Sequence, residues 1–278
     1  MNRQVRILPQ FISCPEGRLF VTEYLPDISC NKNHVVVFIP PFAEEMNRCR
    51  RMVSTQAFAL ARNGYRALIF DLYGTGDSEG DFAEARWDRW CENISSIVTW
   101  SVKEDYERYS ILAPRFGALL AFNSDSRVIE QADRIVLWHP CTSGKIYFRQ
   151  FLRLRLASQL TASKDYRETI DQLMTRFTSG RTVEIAGYEV SPELALSIES
   201  ATLEISDAKI VPPIYWFDIV SSADVSLSVA TKKIVSSWQV NNIPVKASPV
   251  PGDQFWGTVE NTTAPSLIEA TTALYGDN

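Results

Sequence analysis

Histidine is nearly missing from this chain of 278 residues, which has only His34 and His139. That scarcity argues against a histidine-rich metal site and leaves few candidates for a general base. The five cysteines, Cys14, Cys30, Cys49, Cys91 and Cys141, are odd in number and lack paired metal-ligand spacing. Reduced thiols and no bound metal are the expectation. No apolar run approaches the roughly 18 residues of a membrane span, and the opening Met1 to Leu8 carries none either, so a cytoplasmic protein is expected. A surplus of positive charge is also lacking. With 28 basic and 33 acidic side chains the formal charge is −5, which gives no general attraction to nucleic acid. Repeats and low-complexity linkers are absent as well.

What is present is a large apolar fraction, 45% of residues, enough for one extensive core with a small insertion. Short apolar runs alternate with helical periods, which predicts a mostly parallel sheet covered by helices on both faces. Strands are expected at 17–26, 34–40, 66–73, 108–113, 134–138, 213–220 and 244–248. Helices are expected at 46–63, 86–104, 227–240 and 265–275. The segment from about Cys141 to Lys209 turns helical and polar and reads as a cap inserted into a single domain.

Residues 108–118 read as a buried strand, a sharp turn and a short helix beginning near Gly117, with Arg115 at the apex between the small residues Ala113 and Gly117. This is the frame of the G-x-S-x-G nucleophile elbow of an α/β-hydrolase, without its serine. A guanidinium stays protonated and has no lone pair with which to attack. In the order of strand ends, Asp224 fits the acid position of a triad, whereas the base position near Asp253 and Gln254 holds no histidine. His34 precedes a strand at the opposite end of the sheet, and a surface or strand-edge role is expected for it. His139 lies on the ligand side, near Cys141 and Ser143, a weak nucleophile pairing. Ser78 and Asp71, in and before the glycine loop at 74–80, read as turn-forming residues.

The stretches Pro40-Pro41-Phe42-Ala43-Glu44-Glu45-Met46-Asn47, Asp71 to Ser78, Phe151-Leu152-Arg153-Leu154-Arg155-Leu156-Ala157, Gly187-Tyr188 with Pro192 to Ala195, and Pro251 to Trp256 together resemble the second of the hydrolases associated with the exosortase A system. The resemblance implies an α/β-hydrolase fold and a bacterial setting of exopolysaccharide production and protein sorting. It also implies that an arginine at the elbow is a family trait.

Loss of triad members in serine proteases leaves on the order of 10³ to 10⁴ over water. Here nucleophile and base are both absent, and Pro41 removes an N–H near the oxyanion loop. Three uses of the site remain open. Arg115, with Arg48, Lys145 and Arg149, could gather an acyl or anionic small molecule lined by Phe42, Ala43, Phe116, His139, Asp253 and Gln254. Alternatively Arg115 pairs with Glu44, Glu45 or Asp224 in a closed site. In the third, Glu45, Asp224 or Asp253 activates a water while Arg115 polarises the substrate, with no cofactor required. The run from Lys145 to Leu156 sets Tyr147, Phe148, Phe151 and Leu152 on one side among cations. It is either a cap helix packed on its own domain or a docking face for a membrane or for envelope-polysaccharide machinery; burial of those side chains decides for the former.

Overall fold

The computed structural model describes residues 4–103, 106–158, 168–205, 210–222, 224–258 and 262–276. In chain order the strands and helices are β1 (Arg6–Cys14), β2 (Gly17–Leu25), β3 (His34–Phe38), α1 (Glu44–Arg62), β4 (Arg66–Phe70), α2 (Trp87–Lys103), β5 (Arg108–Pro114), α3 (Gly117–Asn123), α4 (Ser126–Glu130) and β6 (Ile135–Trp138). They continue with α5 (Gly144–Ser158), α6 (Ile170–Thr178), β7 (Val183–Ile185), β8 (Tyr188–Val190), α7 (Pro192–Ser200), β9 (Ile214–Val220), α8 (Val229–Val240), β10 (Val245–Pro251) and α9 (Pro265–Ala273).

Eight strands form one sheet in the order β1-β2-β4-β3-β5-β6-β9-β10. From β4 to β10 every neighbouring pair is parallel, and β2 and β1 add an antiparallel hairpin at the β4 edge. This is the α/β-hydrolase fold. β3 is apolar because it is covered on both faces. Val35, Val37 and Ile39 enter a core with α2, α3 and α8, while Val36 and Phe38 enter a second core with α1 and α9. α2 carries Trp90, Ile94, Ile97 and Val98 at helical spacing into the first of these.

Strand β1 and helix α4 were not expected from the sequence, and β10 runs on to Pro251. The segment between β6 and β9, the expected cap, contains α5, α6, the β7–β8 hairpin and α7, packed on the first core. Its expected end at Lys209 lies outside the described residues. Tyr147, Phe148, Phe151 and Leu152 are all buried, so the aromatic side of α5 rests on its own domain. Among the described residues, no helix is long and apolar enough to cross a membrane. His34 is not at the surface: it is 3% exposed, because Tyr65 and the distant Tyr275 set their rings edge-on against it.

Candidate functional site

The C-terminal ends of β3, β5, β6 and β10 converge beneath the cap, and the elbow forms where β5 turns into α3. Arg115 sits there with φ +52°, its N–H donating to the Trp138 carbonyl at 2.9 Å and its own carbonyl accepting from Cys141 N–H at 3.1 Å. Gly117 permits the turn, since a Cβ at that position would stand 2.4 Å from the Ile39 carbonyl oxygen. Two neighbouring strand ends also hold non-glycine residues in the left-handed region, Ala43 at φ +49° and His139 at φ +43°. Each such residue costs on the order of 1–3 kcal/mol and persists only when its surroundings enforce it.

The side chain of Arg115 is 11% exposed and fully engaged. Its Nε donates to Glu45 Oε2 at 3.3 Å, Nη2 to Glu45 Oε1 at 3.2 Å, and Nη1 to the His139 carbonyl at 3.0 Å. The guanidinium lies 4.5 Å from the centre of the Trp256 ring, which stacks on His139 at 4.7 Å. Arg48 Nη1 donates to the Trp256 carbonyl at 3.3 Å, tying α1 to the last loop. The sequence reading named Arg115, Glu45, Arg48 and His139, and the structure brings these four together. Trp256 went unnamed as a site residue, although it belongs to the Pro251 to Trp256 stretch.

Burial works against the charge on Arg115, but the Glu45 carboxylate, paired with it and hydrogen-bonded to it, outweighs burial and raises its pKa. Burial raises the Glu45 carboxyl, while Arg115, Tyr147 and Arg48 oppose that rise. The two-pronged contact favours the ionised form of both partners against the effect of burial. His139 is lowered to about 4 by burial and by Arg115, against the attraction of Asp218. Its Nδ1 accepts from Ile219 N–H at 3.1 Å, so the ring is neutral with its proton on Nε2. Burial also pushes the Cys141 thiol up to about 12, which leaves no thiolate for a Cys–His pair.

The acid beside His139 is Asp218, within β9, not Asp224. Asp218 Oδ1 lies 3.9 Å from His139 Nδ1 and accepts from Trp216 Nε1 at 2.7 Å, while Oδ2 accepts from Thr231 Oγ1 at 2.7 Å. A lone carboxylate in the apolar run Ile-Tyr-Trp-Phe-Asp-Ile-Val was the available signal. Asp224 is exposed in the turn beyond β9. Asp253 and Gln254 are also exposed, and the loop they begin turns Phe255 and Trp256 inward. Lys145 is exposed on α5, and Arg149 pairs within the cap with Glu199 at 3.2 Å and Asp171 at 3.9 Å, so neither reaches Arg115.

Phe42 fills the space beside the elbow, with Phe116 and Phe151 ring centres at 5.0 Å and those of Phe82, Trp90 and Tyr147 at 5.8–6.0 Å. Among these rings the buried Tyr147 hydroxyl faces Glu45 without a hydrogen bond of good geometry, and Glu44 Oε2 is buried without a partner. Asp71 and Ser78 serve the glycine loop: Asp71 accepts from Arg50 Nη2 at 3.0 Å and from Asp77 N–H at 3.1 Å, and the Ser78 hydroxyl donates to the Asp71 carbonyl at 2.6 Å.

No family model matches the sequence, and no curated protein matches it. Solved structures do match its fold. Est1E from Butyrivibrio proteoclasticus, in a structure with bound ferulic acid, superposes with a TM-score of 0.62 at 14% identity, covering 96% of both chains. A lidless α/β serine hydrolase from Xanthomonas campestris gives 0.57 at 11% identity, over 97% of this chain and 92% of that one. An α/β serine hydrolase homologue from Coxiella burnetii gives 0.53 at 13% identity, over 96% and 95%. At such identities the likeness establishes the frame, and the chemistry has to be argued from the residues.

Proposed function

We propose that this chain is a cytoplasmic α/β-hydrolase-superfamily protein of the exosortase A-associated kind, acting in bacterial exopolysaccharide production and protein sorting. It recognises a small acyl or anionic ligand at Arg115 without becoming acylated. The observation that carries this reading is the guanidinium at the elbow apex, held on two nitrogens by the buried Glu45. A carboxylate or phosphate of similar shape can take Glu45's place on those nitrogens. Burial already raises the Glu45 carboxyl, so protonation on displacement is made easier. The left-handed Ala43, Arg115 and His139 support a functional site, since an inert ion pair needs no such strain. With its aromatics buried, α5 offers no docking face for a membrane or the polysaccharide machinery on that side.

The test is calorimetric titration with short-chain fatty acids and phosphomonoesters, alongside an assay with acyl esters, thioesters and phosphoesters. Binding weakened at least about tenfold in Arg115→Ala, with no ester turnover, is the expected result. Equal binding by Arg115→Ala, or a burst of product showing a covalent acyl intermediate, overturns the proposal. A second reading, water activated by Glu45 with Arg115 polarising the substrate, draws on the same raised carboxyl. It requires turnover that both Arg115→Ala and Glu45→Gln abolish.

A further inference from the structure

At the opposite end of the sheet, beneath the C-terminal turn, a serine, a histidine and an aspartate stand in line. Ser110 Oγ on β5 lies 2.8 Å from Nε2 of His34, which opens β3. His34 Nδ1 lies 3.3 Å from Oδ2 of Asp133, just before β6. Asp133 is anchored by Arg108, whose Nε and Nη2 both approach Oδ2 to 2.6 Å. The carboxylate favours the proton on Nδ1, which leaves Nε2 as the acceptor of the Ser110 hydroxyl. Burial keeps the imidazole neutral, at a pKa of about 4.

The cluster is closed from one direction by the end of the chain. Ser110 and Tyr275 are fully buried. The Tyr275 ring lies 6.5 Å from that of His34 and 5.0 Å from that of Tyr65. Arg134 holds this turn by donating to the Leu274 carbonyl and by lying 4.9 Å over the Tyr275 ring. Yet the Tyr275 hydroxyl, set against Ser110, is buried without a well-formed hydrogen bond, and the uncompensated desolvation of that polar group weakens the closure.

The geometry points to Ser110, His34 and Asp133 as a latent acyl-transfer centre, gated by Tyr275 and acting on small activated esters when the C-terminal turn swings away. Ser110 Oγ forms a bond to the acyl carbon as its proton passes to His34 Nε2. The ester oxygen leaves with the electron pair of the broken C–O bond and takes that proton. Opening also frees the Arg134 guanidinium from Leu274 and Tyr275. These residues are separate from Arg115, so this inference does not depend on the function proposed above.

Covalent labelling with a fluorophosphonate, mapped by peptide mass spectrometry, tests it. The Oγ–P bond forms as the P–F bond breaks, fluoride leaves with the bonding pair, and the hydroxyl proton goes to His34 and then to water. Tyr275→Ala is expected to label at Ser110 at least about tenfold faster than the wild type. In that background His34→Ala should slow labelling by about 10²–10⁴, and Ser110→Ala should abolish it. Because Tyr275→Ala can fail to fold, Tyr275→Phe and the wild type warmed to below its unfolding midpoint are measured in parallel. Absence of label on Ser110 in every folded sample, or a labelling rate indifferent to His34, overturns the inference.

Discussion

Arg115 meets Glu45 through two guanidinium nitrogens, at 3.3 and 3.2 Å, so the apex of the turn between β5 and α3 carries one half of a buried ion pair. Removing one partner strands the other charge away from water. Arg115→Ala and Glu45→Gln are each expected to lower unfolding free energy by about 3–5 kcal/mol. The double variant Arg115→Met with Glu45→Leu, which retains volume, should recover most of that loss. Urea titrations of the three proteins decide the matter, and a double variant as unstable as the sum of the singles would show that packing dominates over pairing.

Placing a serine at the apex should not by itself make a hydrolase. In Arg115→Ser the adjacent imidazole, His139, still spends Nδ1 on Ile219 N–H, and the oxygens of Asp218 remain bound to Trp216 and Thr231. A serine there gains no oriented base. With p-nitrophenyl acetate the variant is expected to match the parent within about twofold, since the general-base contribution of 10²–10⁴ is missing. A rise of a hundredfold would mean that His139 reorients once the guanidinium is gone.

The parallel strands were legible because each is a short apolar run ended by turn residues, and the elbow because small residues flank its apex. β1 was not, since Arg6–Cys14 is an edge strand, exposed over most of its length and interrupted by Pro9. The carboxylate beside His139 was not legible for a different reason: sequence order favours Asp224 in the loop after β9, whereas the structure sets Asp218, inside the strand, 3.9 Å from His139. His34 looked superficial because Tyr275, at the other end of the chain, is what covers it. Trp256 could be seen as part of an apolar patch, but its packing against both Arg115 and His139 depends on three strand ends meeting.

Gly117→Ala is expected to cost about 3 kcal/mol. The added Cβ would lie 2.4 Å from the Ile39 carbonyl oxygen and 3.1 Å from that of Pro40, and neither backbone atom can retreat without moving β3. Gly257→Ala is the control, because its nearest neighbour, the Gln254 carbonyl, is at an ordinary 3.6 Å. The control should remain within about 0.5 kcal/mol of the parent. Equal losses in both would remove the tight elbow as the cause.

Acid should unfold the protein through its two histidines. His34 and His139 each have a folded pKa of about 4 against 6.5 in the free state, chiefly from burial. Around His34, Asp133 raises the value while Arg108 and Arg134 lower it, and the Tyr65 and Tyr275 rings exclude water. Around His139, Arg115 lowers it and Asp218 raises it. Between pH 6.5 and 4 the unfolded chain binds protons that the folded chain refuses, so this stabilisation is complete above 6.5 and drains away as pH falls. Each histidine contributes up to about 3 kcal/mol over that window. The raised carboxyls of Glu44 and Glu45 act with the opposite sign, gaining stability as pH falls, and offset part of the loss. Unfolding free energies measured from pH 7 to 4 should therefore decline, with a slope roughly halved in His34→Gln. A flat profile, or an unchanged slope in that variant, would mean that His34 takes up a proton within the folded chain.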